Sequence, residues 1–209
     1  MKRVKAVFLD VDGTLYRSRS YEEHLLESAV AVLAELLQLS RAEAFRRLMS
    51  LKRKVKTVSK SVELMGLSRS LFYDRLAERV APEKYIKPEP KVVDTLLSLR
   101  RRELFVGLHT NSGRRLAAKV LGCLGVGSDC YDFIVTSDDA EPKPDPAGYM
   151  LLLSKSEAEA GEALYVGDRC DVELAPAKKI GMLTAGVNLS DCVYVDYILS
   201  SVVEVLGII

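Results

Sequence analysis

The stretch Val4-Lys5-Ala6-Val7-Phe8-Leu9-Asp10-Val11-Asp12-Gly13-Thr14 decides the reading of this chain. A short apolar run with β-branched residues reads as a buried strand. It stops abruptly at two carboxylates spaced two apart, followed by a glycine. Polar residues placed immediately after a buried strand sit where open parallel sheets bind their ligands, at the carboxyl ends of the strands.

Working outward, the next stretch is helical. Ser20 with Glu23 and Ser40 with Glu43 have capping-box spacing. The first opens a helix carrying Leu25, Leu26, Ala29, Val30, Leu33, Leu36 and Leu37; the second opens one carrying Phe45, Leu48 and Met49. Both follow the 3.6-residue period. A third helical piece ends near Gly66, and a fourth after Ser68 carries Leu71, Phe72, Leu76 and Val80. No strand pattern interrupts Leu15 to Val80. Pro82, Pro88 and Pro90 then mark a boundary.

Beyond them, strand and helix patterns alternate. Strands are predicted at Leu104–Leu108, Phe133–Val135, Leu164–Val166 and Leu183–Val187, with helices between. Such alternation implies a parallel sheet covered by helices on both faces. The expected fold is α/β: a three-layer α/β/α Rossmann-like core over residues 1–16 and 91–209, with an inserted α-helical cap over residues 17–90.

Bulk properties limit the alternatives. The chain has 209 residues, 48% hydrophobic and 28% charged, enough for a sizeable core. A net charge of +1 provides no global field for nucleic acid or acidic membrane. No apolar run approaches the roughly 20 residues that span a bilayer. The basic start Met1-Lys2-Arg3-Val4-Lys5 is followed by too short an apolar stretch for a signal peptide. A cytoplasmic protein, monomer or homodimer, is expected. Cys123, Cys130, Cys170 and Cys192 contain no C-x-x-C pair, and the two histidines are too few for a zinc site. Reduced cysteines are the simpler reading.

Each strand delivers chemistry to one rim. The first ends in Asp10 and Asp12, the second in His109-Thr110-Asn111. The third is followed by Lys143 between prolines, and the fourth by Gly167-Asp168-Arg169-Cys170-Asp171. Carboxylates, a hydroxyl, an amide and one lysine suit phosphoryl transfer, which is mainly positioning and charge stabilisation. A carboxylate can attack phosphorus to form an aspartyl-phosphate. A cation must then separate carboxylate from phosphate, and magnesium prefers hard oxygen ligands of this kind. A second carboxylate two residues on can protonate the leaving oxygen and later deprotonate water.

Asp10-Val11-Asp12-Gly13-Thr14 resembles motif one, D-x-D-G-T, of the haloacid dehalogenase (HAD) superfamily. Thr110-Asn111 is similar to motif two, Lys143 to motif three, and Gly167-Asp168 with Asp171 to motif four, in the family's order. The resemblance covers nearly the whole chain. It implies Asp10 as nucleophile, Asp12 as general acid and base, and Mg²⁺ as cofactor on Asp10, Asp168 and the Asp12 main-chain carbonyl. It implies phosphate binding by Thr110, Asn111 and Lys143. Members often place the second motif-four acid four or five residues after the first. Here Asp171 is three after Asp168 and Glu173 five after, so either is a candidate outer acid. The helical insertion between motifs one and two, with Ile86-Lys87-Pro88-Glu89-Pro90 and Leu15-Tyr16, is similar to the phosphoglycolate phosphatase and pyrimidine 5′-nucleotidase branches.

The implied activity is magnesium-dependent hydrolysis of a small phosphorylated metabolite of phosphoglycolate or nucleotide type. A phosphomutase using the same residues is the nearest alternative, and a non-enzymatic phosphate-binding regulator the next. His109 reads as a packing residue and Cys170 needs no role. The run Lys52-Arg53-Lys54-Val55-Lys56 reads as a solvated helix face, with attraction of an anionic substrate as the sharper alternative. Thr57, Ser59 and Lys60 lie between two helical stretches, where a loop can dip toward the core; Lys60 is the candidate for substrate specificity through a second anionic group.

Overall fold

Strand β1 (Ala6–Asp10) is buried along its whole length and lies at the centre of a six-stranded sheet in the computed structural model, which describes residues 3–209. Met1 and Lys2, the start of the basic run, fall outside the described residues. The neighbours of β1 are β2 (Phe105–His109) and β4 (Ala163–Gly167), both parallel to it. Beyond them lie β3 (Phe133–Val135) on one side, then β5 (Leu183–Val187) and β6 (Tyr197–Leu199) on the other. The order is β3-β2-β1-β4-β5-β6, with every pair parallel.

Helices α1 (Arg19–Leu37), α2 (Arg41–Val55), α3 (Val58–Leu64) and α4 (Arg69–Arg79) follow β1 before the chain returns to the sheet through α5 (Pro90–Arg101). The later crossovers are α6 (Arg114–Leu124), α7 (Ala147–Ser156) and α8 (Ala175–Ile180). Side chains alternate across a strand, and the two faces of β1 bear this out. Val7 and Leu9 pack with Leu96, Leu99, Val120 and Leu121 of α5 and α6. Ala6 and Phe8 pack with Tyr149, Leu152 and Ala177 of α7 and α8. These are the three layers expected.

The four-helix unit has its own core around Leu33, Leu48, Val62, Phe72 and Leu76. Leu116 of α6 is fully buried in the same cluster, which seats the unit on the sheet layer. Burying a leucine side chain contributes about 1.5–3 kcal/mol.

Local chemistry accounts for the boundaries. Ser40 caps α2 by accepting from the Glu43 amide, as expected. The Glu43 carboxylate turns outward to Arg46 and Arg47. The cap of α1 differs from expectation: Ser18, not Ser20, accepts from the Tyr21 amide. The Ser18 hydroxyl also donates to the Tyr85 carbonyl, tying the start of the helix to the end of the insertion. Pro90 occupies the first turn of α5, where its missing N–H costs nothing. Strand β6 was not expected. The cysteines also depart from expectation. Cys170 and Cys192 form a disulfide, and only Cys123 and Cys130 are free. The two lie 22 residues apart, and only the pairing of β4 with β5 brings the segments following those strands together. Among the described residues, no helix is long and apolar enough to cross a membrane.

Candidate active site

The carboxyl ends of β1, β2 and β4 converge on one group of side chains. Asp10 closes β1 and is buried. Its Oδ2 accepts from Thr14 Oγ1 at 3.0 Å, and its Oδ1 accepts from Lys143 Nζ at 2.5 Å. Lys143 is fully buried and also donates to the His109 carbonyl and to Glu173 Oε1. Asn111 fixes the lysine backbone at both polar ends. Its Nδ2 donates to the Lys143 carbonyl at 2.9 Å and its Oδ1 accepts from the Lys143 amide at 2.7 Å.

Asp12 carries a hydroxyl on each oxygen: Tyr16 donates to Oδ1 at 2.6 Å, and Thr110 to Oδ2 at 3.3 Å. Gly13 has φ +97°, and a Cβ there would stand 2.2 Å from Asp168 Oδ2. Only glycine permits both that conformation and that approach.

The motif-four turn treats its two acids differently. A π-turn over Cys170–Leu174 directs Glu173 inward, where it is fully buried, and leaves Asp171 exposed. Glu173 Oε1 accepts from Lys143 and from Arg169 Nε; Oε2 accepts from the amides of Asp168 and Arg169. Gly167 makes room, because a Cβ there would meet Glu173 Oε2 at 2.6 Å. Asp10, Asp168 and Glu173 thus form a tight acidic group, yet the Glu173 oxygens are already engaged by donors. Asp168 differs. Its Oδ1 is buried with no hydrogen-bond partner among the described residues, and only Arg17 approaches its Oδ2, at 3.6 Å.

The electrostatics follow from this packing. Burial, the Glu173 charge and Asp12 push the Asp10 pKa well up, against the pull of Lys143. Burial and Glu173 push Asp168 up to about 6. Burial works to discharge Lys143, but the carboxylates of Asp10 and Glu173 outweigh it and keep the ammonium charged. Burial likewise opposes ionisation of Glu173, and Lys143 and Arg169 outweigh it. Two crowded carboxylates with raised pKa values and an orphaned buried oxygen are what a hard cation would relieve, and Asp10 and Asp168 fit Mg²⁺ on donor type.

Between this group and the helical unit lies a cavity of about 370 Å³. Asp10, Asp12, Thr110, Asn111, Asp168 and Arg169 line its core side. The approach to the core is made by the start of α3 and not by the loop expected: Thr57 caps the helix, and Ser59 in its first turn donates from Oγ to the Asn111 carbonyl at 2.8 Å. Lys60 is not brought there. Its ammonium pairs with Glu63 at 2.7 Å and lies 3.8 Å from Glu141, away from the residues lining the cavity. His109 is a packing residue: it sits edge-on to Tyr149 with Nδ1 3.3 Å from the Tyr165 hydroxyl, and burial followed by Lys143 keeps it neutral. Tyr16 entered the sequence reading only through its resemblance to the nucleotidase branch, and its bond to Asp12 was not expected.

A family model described as haloacid dehalogenase-like hydrolase matches residues 4–181. The chain belongs to that family. As a member it is an enzyme of the hydrolase class, with the α/β fold expected from its motifs. Among its relatives in this family is the glyceraldehyde 3-phosphate phosphatase of Methanopyrus kandleri, 26% identical over 88% of this chain and 84% of that protein. The phosphoglycolate phosphatase of Yersinia pestis is 36% identical over 64% of this chain and 58% of that protein. A HAD phosphatase from Thermococcus onnurineus shares the fold, with a TM-score of 0.70 over 98% of this chain and 97% of that one at 24% identity.

Proposed function

We propose that this HAD hydrolase is a phosphatase that hydrolyses small phosphomonoesters through an aspartyl-phosphate on Asp10, with Mg²⁺ held by Asp10, Asp168 and the Asp12 main-chain carbonyl. The observation that carries the reading is the Asp10 carboxylate, pinned by Thr14 and Lys143 on the wall of a cavity that Asp12 and Thr110 also line. Named phosphatases among the relatives support it.

Asp10 attacks phosphorus, forming a new P–O bond as the bond to the leaving oxygen breaks. Asp12, protonated at this stage, gives its proton to that oxygen. It then takes a proton from water, which attacks the aspartyl-phosphate and releases phosphate and free Asp10. Magnesium, when bound, offsets the negative charge of carboxylate and phosphate. Lys143 supplies fixed positive charge beside Asp10, and Thr110 offers a hydroxyl at the phosphate position. Asn111 acts through Lys143, by holding its backbone. Glu173 is the outer acid of motif four; it orients Lys143, Arg169 and the Asp168 amide. Residues 17–90 form a cap that closes the cavity away from water.

The test is release of inorganic phosphate from p-nitrophenyl phosphate and a panel of phosphomonoesters, with and without Mg²⁺, by the wild type and by Asp10→Asn. Wild-type turnover that needs Mg²⁺ and disappears in the variant is expected. Equal release by both proteins would overturn the assignment of the nucleophile.

A further inference from the structure

The cavity has two chemically different ends. The core end carries the acids and Thr110 described above. The other end belongs to the helical unit, with Leu25, Leu26, Ala29 and Leu76 among its apolar walls. Two cations join those walls: Lys52 in the last turn of α2, and Lys56, its C-cap.

Residues four apart share one helix face. Lys56 donates its N–H to the Lys52 carbonyl at 2.8 Å, the last helical hydrogen bond, and then ends the helix in the left-handed conformation, φ +65°. Arg53 and Lys54, from the same basic run, are exposed and do not line the cavity. Lys52 is half-buried and Lys56 is exposed, and both line the cavity.

Many other cations of the unit are matched by acids. Arg46 and Arg47 pair with Glu43, Lys60 and Arg69 with Glu63, and Arg79 with Glu35. Lys52 and Lys56 have no carboxylate within ion-pair distance among the described residues, although the exposed Glu22 lines the same cavity. Unmatched positive charge beside low-dielectric walls focuses its field on whatever anion enters.

We propose that Lys52 and Lys56 bind a second anionic group on the leaving group, so that the preferred substrates are phosphomonoesters whose alcohol itself carries a carboxylate or a second phosphate. The assignment deepens the phosphatase reading and rests on it. It places at Lys52 and Lys56 the role that the sequence suggested for Lys60. A substrate held at both ends presents its ester oxygen to Asp12 and its phosphorus to Asp10. A neutral leaving group of similar size lacks the distal contact.

The experiment compares kcat/KM of the magnesium-loaded full chain on charged and uncharged leaving groups. Phosphoglycolate and 3-phosphoglycerate supply a distal carboxylate, and glucose 1,6-bisphosphate a distal phosphate. Glycerol 3-phosphate and p-nitrophenyl phosphate supply neither. For Lys52→Ala and for Lys56→Ala, the ratio of charged to uncharged kcat/KM is expected to fall about tenfold or more, the worth of a hydrogen bond to a charged group. The effect should lie mostly in KM, and Lys52→Arg should restore part of it. Lys60→Ala should leave the ratio as in wild type. Whichever charged substrate shows the larger loss identifies the distal group. A ratio unchanged in both alanine variants, in a wild type that hydrolyses p-nitrophenyl phosphate, would overturn this assignment alone. A wild type inactive on every phosphomonoester would overturn the proposed function and this inference together.

Discussion

The Tyr16 hydroxyl donates to Oδ1 of Asp12 at 2.6 Å, while Thr110 holds the other oxygen of the same carboxylate. Tyr16 is nearly buried and packs against Tyr21, so this donor is not free to swing away. In the proposed mechanism Asp12 gives and then takes a proton, and such a group gains from a fixed orientation. Tyr16→Phe removes the hydroxyl and keeps the ring. Its kcat should fall by up to about tenfold, the worth of one hydrogen bond. KM should change little. Steady-state kinetics with p-nitrophenyl phosphate check this; a pure KM effect would place Tyr16 at substrate binding instead.

Asp12→Asn keeps the shape of the side chain and removes its proton exchange. Turnover should drop by about 10²–10⁴. The folded state should survive, because Asp12 is only half-buried and its main-chain carbonyl is unaltered. Circular dichroism with phosphate-release assays separates the two effects. Activity within a few-fold of wild type would remove Asp12 from the acid–base role.

Removal of metal should be decisive and reversible. EDTA should abolish phosphate release and Mg²⁺ in excess should restore it, with no requirement for zinc. Asp168→Asn should raise the Mg²⁺ concentration needed for half-maximal rate more than Asp171→Ala does, since Asp168 carries the orphaned buried oxygen and Asp171 is exposed. Full turnover in excess chelator would refute the metal requirement.

Glu173→Gln leaves two buried or part-buried cations, Lys143 and Arg169, short of a counter-charge. Breaking one partner of a buried ion pair typically costs about 3–5 kcal/mol. Thermal or denaturant unfolding should show a large loss for this variant and almost none for Asp171→Ala. The reverse ranking would reassign the outer acid.

Reducing the Cys170–Cys192 disulfide releases a closed loop of 22 residues in sequence. In the chain-entropy model such a link is worth about 3 kcal/mol. Denaturation midpoints should fall in dithiothreitol for the wild type and stay constant for Cys170→Ser. A wild-type midpoint insensitive to reductant would mean that the link contributes no stability.

Much of this molecule was readable because its signals are local. The run Ala6–Leu9 is apolar on both faces of a central strand, and the carboxylates begin where it ends. Ser40 announced α2 through its spacing to Glu43. Other features depended on distance in the fold. Asp171 and Glu173 are equally acidic in sequence, and only the π-turn directs one inward. Ser18 displaced Ser20 as the α1 cap because burial of Tyr21 and the bond to the Tyr85 carbonyl favour the earlier start. Strand β6 is three residues at the sheet edge, with Ile198 exposed, too short for a clear alternation. Lys52 and Lys56 read as part of one solvated run because a basic sequence does not reveal which side a cavity occupies.

The pairing of β1 with β4 carries a consequence for biosynthesis. Residues 6–9 hydrogen-bond to residues 163–166, so the centre of the sheet joins an early segment of the chain to a late one. Most of the helical unit's core comes from residues 29–80, and it can condense while the later strands are still being made. Asp10 acquires Asp168 and Glu173 only after β4 and its turn are synthesised. A chain in which the helical lobe has condensed but β4 is not yet made therefore lacks Asp168 and Glu173 beside Asp10.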